Sequence, residues 1–333
     1  MLTYYNLQDN KDLSVITYGS EEEWLRLRRD GIGGSDAAAV MGISKYKSPL
    51  KCYKEKIGLI EEDMSDNVFI KKGKDLEALI RDQYVVPYMY EKGYHVRRPD
   101  FMLVNARCPW LQANLDGIAV PINDLDKTFT ENIVIEIKWV SEYAEANWYG
   151  DDYCGVPANY YAQVQHYMTV TGASKAIICA LFDKDWTMHY FEVPYDIKFC
   201  MQLLKETEQF YNINLERGIP PRITPSLDKE DVLDKVLNPP KVFTPSVEMS
   251  EKCAQYQMLK AQVRELDAKA DRLHDDIIAM YCEGNQPSTG FRVNSYKRSR
   301  TAVDTKKLEC EYPDAYEACK TTSEYAVHTI RVK

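Results

Sequence analysis

Asp116, Glu136 and Lys138 have the types and spacing from which a carboxylate metal site with an ammonium beside it can be built. Glu136 and Lys138 lie in Asn132-Ile-Val-Ile-Glu-Ile-Lys-Trp-Val140, where β-branched and aromatic residues predict a strand. Alternation puts Ile133, Ile135, Ile137 and Trp139 on one face and Val134, Glu136, Lys138 and Val140 on the other. Asp116 lies in a second strand-like stretch, Leu111–Val120, joined to the first by a connection of eleven residues rich in Asp and Asn. With Val120 opposite Asn132 in an antiparallel pair, Asp116 falls directly opposite Glu136, with Cβ atoms roughly 5 Å apart. Two carboxylates so placed raise each other's pKa unless a cation sits between them. A hard, oxygen-seeking ion such as Mg²⁺ or Mn²⁺ resolves that conflict, and Lys138 on the same face would orient a water or stabilise developing charge. The plain alternative is a solvated strand face that carries one Glu and one Lys.

The elements that must position these residues follow from the flanking sequence. Ser20–Arg29 predicts a short helix with an N-cap serine, acidic residues in its first turn and basic ones in its last. Asp30-Gly-Ile-Gly-Gly34 ends it, and Ser35–Met41 begins another helix. A glycine-rich turn feeding a helix offers backbone N–H groups to an anion, and Arg28 and Arg29 just upstream favour a phosphate; an ordinary helix–helix turn is the competing reading. A third helix starts at Ser48-Pro49. A longer one over 66–92 would bury Leu76, Leu79, Ile80 and Tyr84, with Glu77 beside that stripe. Strands are predicted at Asp100–Asn105, Leu111–Val120, 132–140, Lys175–Phe182 and Trp186–Val193, the last two joined by a turn at Asp183–Asp185. A helix from Pro157 to Gly172 separates the third strand from the fourth, and Tyr195–Gly218 predicts another. The whole is an α/β fold with a central mixed sheet flanked by helices.

Prolines from 220 to 245 predict a linker over 223–247, after a first domain over 1–222. Beyond it, 248–284 carries a heptad pattern in which residues 249, 256, 263, 270 and 277 alternate with 259, 266, 273 and 280, so a coiled coil or helical hairpin is expected. Residues 285–333 read as a small tail with a strand pair and a short helix. It holds Lys297, Arg298 and Arg300, a basic run suited to a solvated face or a DNA backbone.

Composition narrows the classes. Over 333 residues, 45% hydrophobic and 28% charged residues describe a globular chain. No run of about 18 apolar residues and no secretory leader is evident, so a cytoplasmic location without membrane contact is expected. The nine cysteines never form Cys-x-x-Cys and the five histidines are scattered, which disfavours zinc and iron–sulfur sites and leaves a hard ion held by carboxylates. A net charge of −9 disfavours a general nucleic-acid coat but permits a local basic channel.

The Asp, Glu-x-Lys set resembles the site of the PD-(D/E)xK nuclease superfamily, with its restriction-endonuclease-like core. A closer resemblance is to the lambda-exonuclease/YqaJ-type viral recombinase family. Four blocks carry it in order: Leu27-Arg-Arg-Asp-Gly-Ile-Gly-Gly-Ser35; Gly73-Lys-Asp-Leu-Glu77; Asn114-Leu-Asp-Gly117 with Ile135-Glu-Ile-Lys138; and Tyr160-Tyr-Ala-Gln163-Val-Gln165. Leu115 stands where Pro is common, at a position that shapes the turn and holds no metal.

The resemblance implies that Asp116, Glu136 and the backbone carbonyl of Ile137 hold Mg²⁺, for which Mn²⁺ substitutes, and that Lys138 positions the attacking water. Glu77 would assist a second ion, Gln163 would steady the lysine and the scissile phosphate, and Tyr160 would line the channel. Arg28 or Arg29, with Ser35, would grip a DNA phosphate; Gln165 either joins them or sits on the helix surface. The implied activity is a 5′-to-3′ exonuclease on linear duplex DNA, leaving 3′ single strands for a RecT-like annealing protein in phage recombination. A homo-oligomer, ring-shaped in the family, is implied too. A repair or defence endonuclease and a non-catalytic DNA-end-binding protein are the alternatives. Glu136 and Lys138 are expected to face the ion and the phosphate rather than each other.

Overall fold

A computed structural model describes residues 13–60, 68–122, 132–150, 152–238, 244–294, 297, 299 and 302–321, without side-chain surroundings for 68–70. The chain divides into two compact units between Asp231 and Val232.

The first unit opens with β1 (Leu13–Ile16), α1 (Glu21–Arg29), β2 (Ile32–Gly33), α2 (Gly34–Val40) and α3 (Pro49–Lys56). Ser20 caps α1 by accepting the Glu23 N–H at 3.1 Å, and Ser48 caps α3 by accepting that of Lys51 at 2.9 Å. Then α4 (Val68–Ile80) runs through a π-helical segment, Arg81–Val85, into α5 (Val86–Glu91). The wide turn inserts one residue into the helical repeat. Ile80, Val85 and Met89 are therefore the fully buried positions, whereas Leu79, expected in the buried stripe, is exposed.

Next come β3 (Tyr94–Arg97), β4 (Met102–Asn105), β5 (Leu111–Ala113), β6 (Gly117–Pro121) and β7 (Ile133–Val140). They are followed by α6 (Ala158–Thr171), β8 (Lys175–Phe182), β9 (Thr187–Pro194) and α7 (Ile197–Gln209), which continues as a second π-helical segment, Phe210–Glu216. The strands form two sheets, ordered β1-β4-β5-β2 and β3-β6-β7-β8-β9. The single strand expected over Leu111–Val120 is thus two strands in different sheets, parted at Asn114-Leu115-Asp116. β4 pairs with β5, while β6 pairs with β7.

The β6–β7 register is the expected one, with Gly117 opposite Ile135 and Ala119 opposite Ile133. β7 and β8 run parallel, linked through α6. Both are covered on their two faces, which is why Ala176–Phe182 is an unbroken buried apolar run. Ile133, Ile135 and Ile137 pack with Ile80, Val85 and Met89 from the α4–α5 side. Val134, Val140, Ile118 and Val120 join the larger cluster that includes Ala162, Val164 and Met168 of α6. Glu136 and Lys138 alternate with the first set and so point toward α6.

α8 (Lys229–Leu237) begins in the first unit, inside the stretch expected to be a linker. Asp228, the residue before it, is buried and hydrogen-bonded to the hydroxyl of Ser48, the cap of α3. Tyr53 on α3 also donates to the Gly218 carbonyl at 3.2 Å. A boundary at 222 therefore falls short of a residue that holds the core. The second unit contains α9 (Val247–Cys282), α10 (Thr305–Glu311) and α11 (Pro313–Cys319). Among the described residues of the tail the elements are helices, not the expected strand pair; Arg298 and Arg300 lie outside the described residues.

Candidate active site at the end of the β6–β7 pair

The ladder between β6 and β7 stops at Gly117–Ile135, so the next pair in register is Asp116 with Glu136. Asp116 takes over where backbone pairing ends: its carboxylate accepts the Ile137 N–H at 2.9 Å. Glu136 is buried because β7 is a central strand under α6, and it is ion-paired with Lys138. The expectation that these two charges face apart is corrected here. Two residues apart on one face of a strand, the long lysine folds back on the nearest buried anion, while the other oxygen of Glu136, Oε2, is buried without a hydrogen-bond partner among the described residues. The Lys138 ammonium also lies 5.0 Å from the ring centre of Tyr160 on α6.

Burial, with Asp116 beside it, pushes the Glu136 carboxyl up to about 8. Burial raises Asp116 as well, against the pull of Lys138 and the Ile137 N–H. Burial and Asp116 raise Glu77. Burial opposes the Lys138 charge, but Glu136 and Asp116 outweigh it and hold the ammonium above its ordinary range. One lysine beside three carboxylates leaves a set that keeps a proton above the usual carboxylate range, and the proton belongs to the set rather than to one group.

The fit to a hard cation rests on Asp116, Glu136 and the unpartnered Oε2. Glu77 is a lesser contributor. It comes from α4, on the opposite face of the sheet from α6, and no group of three His, Cys, Asp or Glu side chains among the described residues closes around a common point.

The other expected residues divide. Gln163 is buried on α6 and donates to the Tyr167 hydroxyl at 3.1 Å, one turn further along. Arg28, and not Arg29, meets Ser35, donating to its hydroxyl at 2.7 Å; both arginines line a cleft of about 780 Å³ whose walls also carry Glu22, Glu23, Asp36 and Glu55. Gly31 through Gly34 are buried, so the expected exposed cradle of N–H groups is absent there. Asp36 accepts the Gly33 N–H at 3.2 Å and is paired with Lys47 at 2.8 Å and Lys56 at 2.7 Å. Burial opposes the Asp36 charge, yet those two lysines hold its carboxyl well below the usual range. Gln165 is neither on the surface nor at the site. Its amide donates to the Pro194 carbonyl at 2.8 Å and accepts the Asp196 N–H at 2.9 Å, clamping the β9–α7 turn.

Sequence reasoning missed Tyr167, Arg81 and Arg98. Burial, and then Glu136 and Asp116, raise the Tyr167 phenol well above its ordinary range, which places it among the site's neighbours. Its ring also explains Gly34, where a Cβ would meet Tyr167 Cε1 at 2.3 Å. Arg81 and Arg98 both lower Asp116 and Glu77. Helical spacing was the available signal, since Tyr167 follows Gln163 by four residues and Arg81 follows Glu77 by four.

An antiparallel strand pair delivers an aspartate and a Glu-x-Lys pair, and a helix crosses from it to a parallel neighbour, giving the mixed α/β core expected from the sequence. Residues 23–174 match the model of the YqaJ-like viral recombinase domain. The chain is 27% identical to the uncharacterized protein YqaJ of Bacillus subtilis (strain 168) over 329 residues, 95% of this chain and 97% of that one. Among solved structures, the alkaline exonuclease LHK-Exo of Laribacter hongkongensis aligns with a TM-score of 0.44 at 21% identity, over 65% of this chain and 98% of that one. A phage related exonuclease from Haemophilus somnus 129PT aligns with a TM-score of 0.41 at 12% identity, over 59% and 100%.

Proposed function

We propose that this chain is a divalent-metal-dependent DNA exonuclease that degrades one strand of linear duplex from its 5′ end. The 3′ single strand left behind is the substrate of a RecT-like annealing protein. The observation that carries the reading is Asp116 set against Glu136 at the end of the β6–β7 ladder, with Lys138 on the same face and one Glu136 oxygen buried and unpartnered.

Asp116, Glu136 and the Ile137 carbonyl would hold Mg²⁺ or Mn²⁺, with Glu77 assisting from α4. A cation there supplies positive charge against the phosphate as it passes through its more highly charged transition state. Lys138 shares its ammonium between Glu136 and the phosphate, and Tyr160 confines it from the side. Gln163 presents its amide from α6 beside them, steadied by Tyr167. Arg28, oriented by the Ser35 hydroxyl, takes a phosphate near the strand end.

Linear duplex labelled at 5′ or 3′ ends, supplied with Mg²⁺, tests the reading. Nucleotides should be released from the 5′ end, circular duplex should stay intact, and Glu136→Gln should lose at least ~100-fold of the rate, the scale on which charge-stabilising groups act. Cutting of the circle would make the protein an endonuclease, and no cleavage of any duplex with Mg²⁺ or Mn²⁺ would remove the catalytic reading.

A further inference from the structure

Lys56 closes a ring of contacts around Arg28 and Ser35. It is the last residue of α3, and its side chain is only 5% exposed. Its ammonium donates to the backbone carbonyl of Arg28 at 2.7 Å and pairs with Asp36 Oδ2 at 2.7 Å. Asp36 follows Ser35 in α2, and the Ser35 hydroxyl accepts from the Arg28 guanidinium at 2.7 Å. One arginine is thus held at both ends. Lys56 takes its backbone directly, and through Asp36 it anchors the helical turn that receives the guanidinium. We propose that Lys56 is a positioning residue that fixes Arg28 against Ser35, and so sets how strongly a phosphorylated 5′ strand end is preferred over a hydroxyl end. The proposal rests on the reading of Arg28 given above.

The place of Arg28 in its helix shows why such a tie matters. Arg28 stands in the last turn of α1, where the carbonyls lack partners within the helix and the end is prone to fray. A guanidinium fork recognises phosphate by its aim, and a loose backbone beneath a long stem would spoil that aim. Two side chains from other elements close the turn. Lys56 takes the Arg28 carbonyl, and the buried Gln112 of β5 donates to the Leu27 carbonyl at 3.0 Å. Gly31 makes room for Gln112, since a Cβ there would meet Gln112 Cδ at 2.7 Å. Lys56 differs from Gln112 in reaching the Ser35 helix as well. With both of its bonds made to the protein, it acts on a strand end through Arg28 rather than by contact. Lys47 supplies the contrast: it pairs with Asp36 Oδ1 at 2.8 Å and with Glu55 at 2.9 Å, and neither of these bonds touches Arg28.

Linear duplexes ending in a 5′-phosphate or a 5′-hydroxyl, bound to the full-length chain and followed by fluorescence anisotropy in EDTA, test the proposal without metal-dependent cleavage. The parent should hold the phosphate end at least ~10-fold tighter, the scale of one charge-assisted hydrogen bond. Lys56→Met keeps the stem, removes the ammonium and leaves Asp36 paired with Lys47. It should lose most of the preference through a weaker hold on the phosphate end. Lys56→Gln, one atom shorter, keeps an amide donor and carries the same expectation should Lys56→Met not fold. Lys47→Met breaks the pair on the other oxygen of Asp36 and should retain the preference. A preference that survives removal of Lys56, or that is lost equally in Lys47→Met, overturns the proposal and leaves the exonuclease reading untouched. A parent that binds the two ends alike removes the Arg28 grip and this inference together, while the cleavage test above still decides the nuclease.

Discussion

Glu136 has one carboxylate oxygen against Lys138 and the other buried without a hydrogen bond among the described residues. A group whose carboxyl is pushed up to about 8 by burial and by Asp116 prefers its proton in the fold. Its contribution to stability is greatest below 4.5 and is lost as the pH rises through about 8. Without divalent ions, Glu136→Gln should flatten the fall in melting temperature over that interval and melt higher than the parent at pH 8. Mg²⁺ at 100 times its dissociation constant should stabilise the parent by about 2.7 kcal/mol, more strongly as the pH rises because protons and metal compete, and should leave Glu136→Gln unmoved. A melt indifferent to Mg²⁺ at every pH would disprove the metal site. The Asp116–Glu136 juxtaposition was legible in the sequence because strand pairing is periodic. The Glu136–Lys138 ion pair was not, since alternation gives the face of a side chain and not which neighbour it turns to.

At the scale of elements, α6 ties the site to everything around it. Its inward face sends Gln163 to Tyr167 and lays the Tyr167 ring on Gly34, so α2 can approach only where a side chain is missing. Gly34→Ala forces a methyl group onto the ring and should cost about 1–3 kcal/mol in urea unfolding; Tyr167→Leu in the same chain should recover part of it. Further along α6, Gln165→Ala removes both bonds to the β9–α7 turn and leaves backbone groups unpaired. We expect about 1–3 kcal/mol less stability and an unchanged cleavage rate per folded molecule at 20 °C. A large loss of rate without loss of stability would instead return Gln165 to the DNA. The caps, the Pro157 start and Gly172 stop of α6 and the β8–β9 hairpin could be read from local residues, because each is a local preference. The division of 111–121 between two sheets could not, because sheet membership is decided by partners distant in the chain.

For the whole molecule, the first unit runs to Asp231 and includes the buried Asp228 that bonds the cap of α3. A chain ending after α8, at 238, should keep the nuclease activity proposed above and unfold cooperatively. One ending at 222 exposes Ser48 and the apolar end of α3, and should melt several degrees lower, by the loss of a buried hydrogen bond worth about 1–3 kcal/mol. Equal melting of the two would show that α8 contributes nothing to the core. Prolines at 220, 221 and 225 suggested an earlier boundary, and they do mark irregular backbone. The core continues past them because one polar side chain reaches back over 180 positions, a tie that no local pattern signals.

The wide turn at Arg81–Val85 has a consequence for how this helix tolerates changes of length. Removing one residue from an ordinary buried helix rotates everything beyond the cut by about 100° and drags the apolar face into solvent. Here the removal of Gln83, which is exposed, brings Val85 and Met89 to four and eight residues from Ile80, in step with an uninterrupted α-helix. Excision of that one residue should therefore leave the buried contacts of Ile80, Val85 and Met89 in place, so this helix tolerates a shortening that an ordinary buried helix does not.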